Sequence, residues 1–163
     1  GRRMMDIEGL GERYVERLAL SKAEAGMRRT QWRKMLPQPV LAADTALELD
    51  GDIIGKPLDV ADAHAILRRL SGRRHRVLSA LALSDGRRIR SKVSISEVKF
   101  RELSELGIRH YVASGEPMDK AGAYGIQGKA AIFIEDIRGS YSAIMGLPLF
   151  ETAQLLDAFG YPL

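Results

Sequence analysis

The chain has 163 residues, 45% of them hydrophobic and 28% charged, with a formal net charge of +4. That length supports one domain with a sizeable core or two closely packed lobes, and the mild basic excess suits a polyanionic ligand without demanding nucleic acid. The absence of cysteine excludes disulfides and thiolate metal sites and fits a reducing cytoplasm, an aromatic content of 6% argues against a base-stacking platform, and no apolar run reaches membrane-spanning length or resembles a signal peptide.

The opening Gly1-Arg2-Arg3-Met4-Met5 fits no regular element. From Leu10 the pattern becomes helical, with Leu10, Tyr14 and Leu18 spaced by four and Val15 and Ala19 beside them. The next step of that stripe is Lys22, an amine that either reaches into a cleft or, on the plainer reading, snorkels to solvent. Arg28, Arg29, Arg33 and Lys34 read as a solvated helix end, and Pro37 and Pro39 interrupt regular structure. Val40-Leu41-Ala42-Ala43 then reads as a buried strand that ends in Asp44 and Thr45. Asp50-Gly51 signals a hairpin, and Ile53-Ile54 would return the chain and carry Lys56 back towards Asp44. An acid, a hydroxyl and an amine in one small region suit a metal and a phosphate; a hairpin with exposed Asp and Lys is the plainer alternative.

Asp59 can cap a helix running to about Leu70, with Ala63, Ile66, Leu67 and Leu70 on its buried face. Arg68, Arg69, Arg73, Arg74 and Arg76 form the densest basic cluster, readable as solvated helix end and strand entry or as a polyphosphate or RNA patch. Strands are predicted over Val77–Leu83 and Ile89–Phe100 around an Asp85-Gly86 turn, with a phase shift between Ile95 and Val98 that implies a bulge or a change of packing partner. Leu103–Ala113 reads as a helix, Ala131–Ile134 as a buried strand, and Leu149–Phe159 as a closing amphipathic helix. Between them, Asp119-Lys120-Ala121-Gly122-Ala123-Tyr124-Gly125-Ile126-Gln127-Gly128 sets an acid, a cation and an amide on a backbone that its glycines make permissive.

Ala42-Ala43-Asp44-Thr45, Gly55-Lys56-Pro57, the stretch Asp119–Gly128, and Gly139-Ser140-Tyr141 followed by Gly146-Leu147-Pro148 together resemble the Maf family of nucleoside triphosphate pyrophosphatases. Tyr14–Ala19 leading to Lys22 fits as well, so the resemblance extends in order from about Asp6 to the C-terminus. Thr45 and the Ala-Tyr-Gly-Ile-Gln-Gly text are similar to the branch acting on dTTP and UTP; the branch associated with 7-methyl-GTP differs at both places. The family normally opens with a strand, a Ser-x-Ser-Pro-Arg-Arg type loop and a helix; here only Gly1-Arg2-Arg3 precedes Met4, and one Maf-like domain over 1–163 lacking most of that segment is expected.

The resemblance implies an α/β fold, a twisted mixed sheet flanked by helices with two lobes around a nucleotide-binding cleft. It implies attack of water at the α–β phosphate bond, with a nucleoside monophosphate and pyrophosphate as products. Asp44 matches the family's proton acceptor or metal ligand, Lys22 and Lys56 its phosphate contacts with Arg2 and Arg3 as additions, and Asp119 a metal or loop-bracing role. A divalent cation, Mg²⁺ or Mn²⁺, suits such oxygen ligands and a triphosphate. Gln127 can pair with the N3–H and O4 edge shared by thymine and uracil, provided Thr45 or backbone groups fix its amide orientation. The expected partner is dTTP or UTP in the cytoplasm, with hydrolysis limiting excess or non-standard nucleotides; no membrane or nucleic acid is expected, and a homodimer stays open. The alternatives are a septum-formation regulator acting by protein binding and a pyrophosphatase for modified nucleotides.

Overall fold

The computed structural model describes residues 3–5, 9–34 and 38–161. Six strands, β1 (Arg3–Met5), β2 (Val40–Leu49), β3 (Asp52–Ile54), β4 (Arg74–Ser84), β5 (Ile89–Phe100) and β6 (Ile134–Arg138), form one sheet in the order β1-β3-β2-β4-β5-β6. Every pairing among them is antiparallel, so the expectation of a mixed sheet is corrected for the described residues. The local chemistry explains this: β2–β3 and β4–β5 are hairpins, and the helix after β3 carries the chain across β2 so that β4 runs in the direction of β3 on β2's other side. Asp50 and Gly51, with φ of 52° and 82°, adopt the paired left-handed conformations of the first hairpin.

The pleat divides the core in two. Leu78, Ala80 and Ala82 of β4 point towards α1 (Leu10–Trp32), whose buried face is Gly11, Val15, Ala19 and Ala23. That stripe lies one residue beyond the Leu10–Tyr14–Leu18 line expected, because small side chains let the helix lie close on the sheet. On the opposite face, Leu47, Leu49, Ile54, Val77, Val98 and Phe100 pack against α2 (Val60–Leu70), α3 (Glu105–Ala113) and 3-10 turns at Glu116–Asp119, Ala121–Ala123 and Lys129–Phe133. Further along that face, Leu81 and Leu83 pack on Leu155 of α5 (Leu149–Ala158), which follows α4 (Tyr141–Met145). Burying one such leucine is worth roughly 1.5–3 kcal/mol.

Asp59 caps α2 by accepting the Asp62 N–H, and Ser104 caps α3 through the Gly107 N–H. Residues 131–133 form a 3-10 turn where a strand was expected, and β6 begins only at Ile134, since the preceding glycine-rich segment enters the sheet from above it. Between Ile95 and Val98, β5 continues without a bulge: Val93 packs under α1 while Ser94, Ser96 and Val98 are buried on the other face. The register break lies later, at Lys99 and Phe100 against β6. The basic cluster is committed to ion pairs: Arg68 to Glu105, Arg69 to Asp52, Arg73 to Asp50, Arg74 to Asp136, and Arg76 to Glu12 and Glu48. Each of these guanidiniums faces a carboxylate, so the cluster's charge is offset locally. No helix of the described residues is long and apolar enough to cross a membrane.

Candidate active site

Asp44 and Thr45 leave β2 on opposite faces, since Asp44 pairs in register with Ala80 and Thr45 with Ser79. On the α1 side, the Lys22 ammonium donates to Asp44 Oδ1 at 2.6 Å and approaches the Ala43 carbonyl at 3.4 Å. Lys22 therefore reaches into the site, contrary to its plainer reading, and yet its side chain remains 54% exposed against 16% for Asp44. Asp44 Oδ2 carries no hydrogen bond from the described residues. β3 covers β2 only at Leu47–Leu49, so among the described residues Asp44 and Thr45 are bordered within the sheet by β4 alone.

Across the sheet, Ser79 donates its hydroxyl to the Ala143 carbonyl at 2.6 Å and stands 3.0 Å from the Thr45 hydroxyl. One hydroxyl has one hydrogen, so Thr45 donates to Ser79 and turns only lone pairs outward. The chain Thr45–Ser79–Ala143 also ties α4 to the sheet. Between α4 and the Lys120–Gln127 segment lies a pocket of about 260 Å³, mostly apolar, floored by Thr45, Leu47 and Val77 and edged by Lys120, Gln127 and Met145.

The glycine-bearing segment is braced at several points. The Gly122 N–H donates to the Gly55 carbonyl at 3.0 Å, and Gly122 has a φ of +75°. A Cβ there would stand 2.3 Å from Leu47 Cδ1, so both conformation and closeness require glycine. Tyr124 is buried against Phe100 and lies with its hydroxyl 2.5 Å from His75 Nε2. Burial pushes the Tyr124 phenol up and His75 down to about 3, so both are neutral. At the far end the Glu116 carboxylate receives the Lys129 N–H at 3.1 Å, beneath Gly128. Gln127, exposed between these anchors, sets its Nε2 against Met145 Sδ.

Lys120 donates to the Glu116 carbonyl at 2.9 Å and to Asp119 Oδ1 at 3.1 Å. That hydrogen bond and charge, with a smaller pull from Lys56, hold the Asp119 carboxyl below the usual range. The Lys56 charge is felt at Asp119. The Gly122 N–H donates to the Gly55 carbonyl, which draws the chain after β3 towards the glycine-bearing segment. Asp44 and Asp119 occupy different layers, and the described residues contain no group of three or more metal-ligating side chains. One carboxylate with a free oxygen, as at Asp44, fits a hard cation carried in by a triphosphate, which needs few protein ligands. Arg2 lies outside the described residues, and Arg3 enters only through its backbone in β1. Lys120 was read from the sequence only as the cation of its motif, and Ser79, Met145, His75 and Glu116 were not singled out there, though Met145 stood just before Gly146.

Comparison with known proteins identifies the family. Residues 5–159 match the family described as Maf-like protein. A dTTP/UTP pyrophosphatase of Aromatoleum aromaticum is 74% identical over 152 residues, covering 93% of this chain and 74% of the relative. Proteins of the same name from Dechloromonas aromatica and Chromobacterium violaceum are 55% and 53% identical, covering 91% and 92% of this chain and 74% and 76% of theirs. A family match over residues 5–159, with relatives more than half identical over nearly the whole chain, places this protein in the Maf family.

Proposed function

We propose that this protein hydrolyses dTTP and UTP to the nucleoside monophosphate and pyrophosphate. Relatives of that name support the activity. The observation that carries the site reading is the divergence of Asp44 and Thr45 at one point of β2, which puts a charged pair and a mostly apolar pocket within one ligand's reach. The base enters the pocket beside Gln127 and Thr45, and the triphosphate passes the β2 edge towards Lys22 and Asp44. Lys22, Lys56 and Lys120 bind phosphate oxygens, and the Lys22 hydrogen bond orients Asp44 for its role.

In the reaction, a water oxygen bonds to the α-phosphorus while the bond from that phosphorus to the α–β bridging oxygen breaks. The electron pair leaves on pyrophosphate, and the water's proton passes to an Asp44 oxygen. Asp44 would also hold a divalent cation, which when bound supplies charge neutralisation on the phosphates. Asp119, tied to Lys120 on the other face, braces the phosphate-binding lysines. The absence of cysteine accords with work in a reducing cytoplasm. The test is a panel of nucleoside triphosphates assayed with Mg²⁺ or Mn²⁺ and chromatographic product analysis. UMP and pyrophosphate from UTP are the expected products; UDP and orthophosphate would contradict the reaction assigned.

A further inference from the structure

We infer that Met145 sets the base preference by dictating which end of the Gln127 amide faces the pocket. The inference rests on the proposed nucleotide site and deepens it. A Gln amide is two-faced: turned one way it presents an acceptor, turned the other a donor, and it can suit uracil or cytosine accordingly. What fixes it must itself be one-sided. Met145 Sδ lies against the Gln127 amide, and because a thioether sulfur is an acceptor only, it favours the NH₂ group over the oxygen as its neighbour. The Gln127 oxygen receives no hydrogen bond from the described residues and is the end left to read a ligand.

Control runs from Met145 to Gln127 because Met145 sits on the firmer support. α4 is capped by Ser140, tied through the Ala143 carbonyl to Ser79, and closed by Gly146 at a φ of +118°. Gln127 lies on a segment whose backbone is pinned on both sides, by Tyr124 at His75 and by Lys129 at Glu116. Its side-chain rotation is what remains to be set. Thr45, expected to hold the amide, instead spends its hydrogen on Ser79 and offers a second acceptor. Two acceptors suit the N3–H of uracil and thymine, whereas cytosine in the same pose brings a lone pair to that position.

The test compares kcat/KM for UTP and CTP in the parent, Met145→Leu and Met145→Lys, with circular dichroism and thermal melting as folding controls. Leu keeps the volume and removes the acceptor; the UTP-over-CTP ratio should fall about five- to tenfold, the scale of one lost neutral hydrogen bond. Lys is a donor only, would engage the Gln127 oxygen and turn the NH₂ inward, and should lower the ratio further. If Met145 were simply pocket wall, both substrates would suffer together and the ratio would hold. An unchanged ratio in either folded variant overturns the inference. Failure of the parent to hydrolyse UTP would instead overturn the proposed function, and calorimetric binding of UTP and CTP to the same three proteins would then decide the Met145 question by the same ratio.

Discussion

Asp44 and Thr45 are consecutive in β2, yet the first faces Lys22 and the second faces Ser79 on the other side of the sheet. In the proposed function, the charge at Asp44 and the base reading at Thr45 are therefore separable by substitution.

Lys120 edges the pocket and the Lys56 charge acts on the neighbouring Asp119, and the proposed phosphate contacts give a direct expectation. Lys120→Ala and Lys56→Ala should raise KM for UTP several-fold with a smaller change in kcat. Steady-state kinetics at fixed ionic strength checks this, because contacts made equally in ground and transition states move KM alone. Unaltered constants in both variants would return these lysines to ordinary surface residues.

Gln127→Leu keeps much of the side chain's volume and removes the amide oxygen that faces the pocket. The preference for UTP over CTP should fall about five- to tenfold, the scale of one lost neutral hydrogen bond, read from competing substrates in one reaction. Retention of the parent preference would remove Gln127 as the base reader.

Ser79 is fully buried and passes the Thr45 hydrogen bond on to the Ala143 carbonyl. Ser79→Ala leaves that carbonyl without its hydroxyl donor, at a cost of about 1–3 kcal/mol. Urea unfolding measures it, and a loss below a few tenths would show that the hydroxyl chain does not hold α4.

His75 is buried among Phe100 and Tyr124, and loss of hydration lowers its folded pKa to about 3, against about 6.5 when unfolded. Its neutral form is thus fully compatible with folding above pH 6.5, and the unfolded chain gains the proton first as pH falls. Stability from this group should drop by about 1.4 kcal/mol per pH unit on going below pH 6. Urea midpoints at pH 6 and pH 5 test it, and His75→Phe paired with Tyr124→Phe should flatten that slope. An equal slope in parent and double variant would rule out His75 as its source.

Most of the fold was legible because its signals are local. Asp59 and Ser104 cap helices by contacts three residues away, and Asp50-Gly51 makes its turn without help from the rest of the chain. The 3-10 turn at Lys129–Phe133 was not legible, since four apolar residues in a row fit a strand equally well until the Glu116 contact to Lys129 fixes the entry. Asp44, Thr45 and Gln127 were readable from their motifs. What escaped was the face each takes and who holds it. Lys22 meets Asp44 across 22 positions, Ser79 meets Thr45 across 34, and Met145 meets Gln127 across 18. Such contacts depend on register and helix placement, which no local pattern carries.

The central claim is that Asp44 performs the chemistry while the opposite face reads the base. Asp44→Asn preserves shape and removes the charge available to accept a proton or a cation. UTP turnover in this variant should fall at least about a hundredfold, with the melting profile and the calorimetric preference for UTP over CTP retained. A folded Asp44→Asn protein that released pyrophosphate from UTP at close to the parent rate would contradict the account.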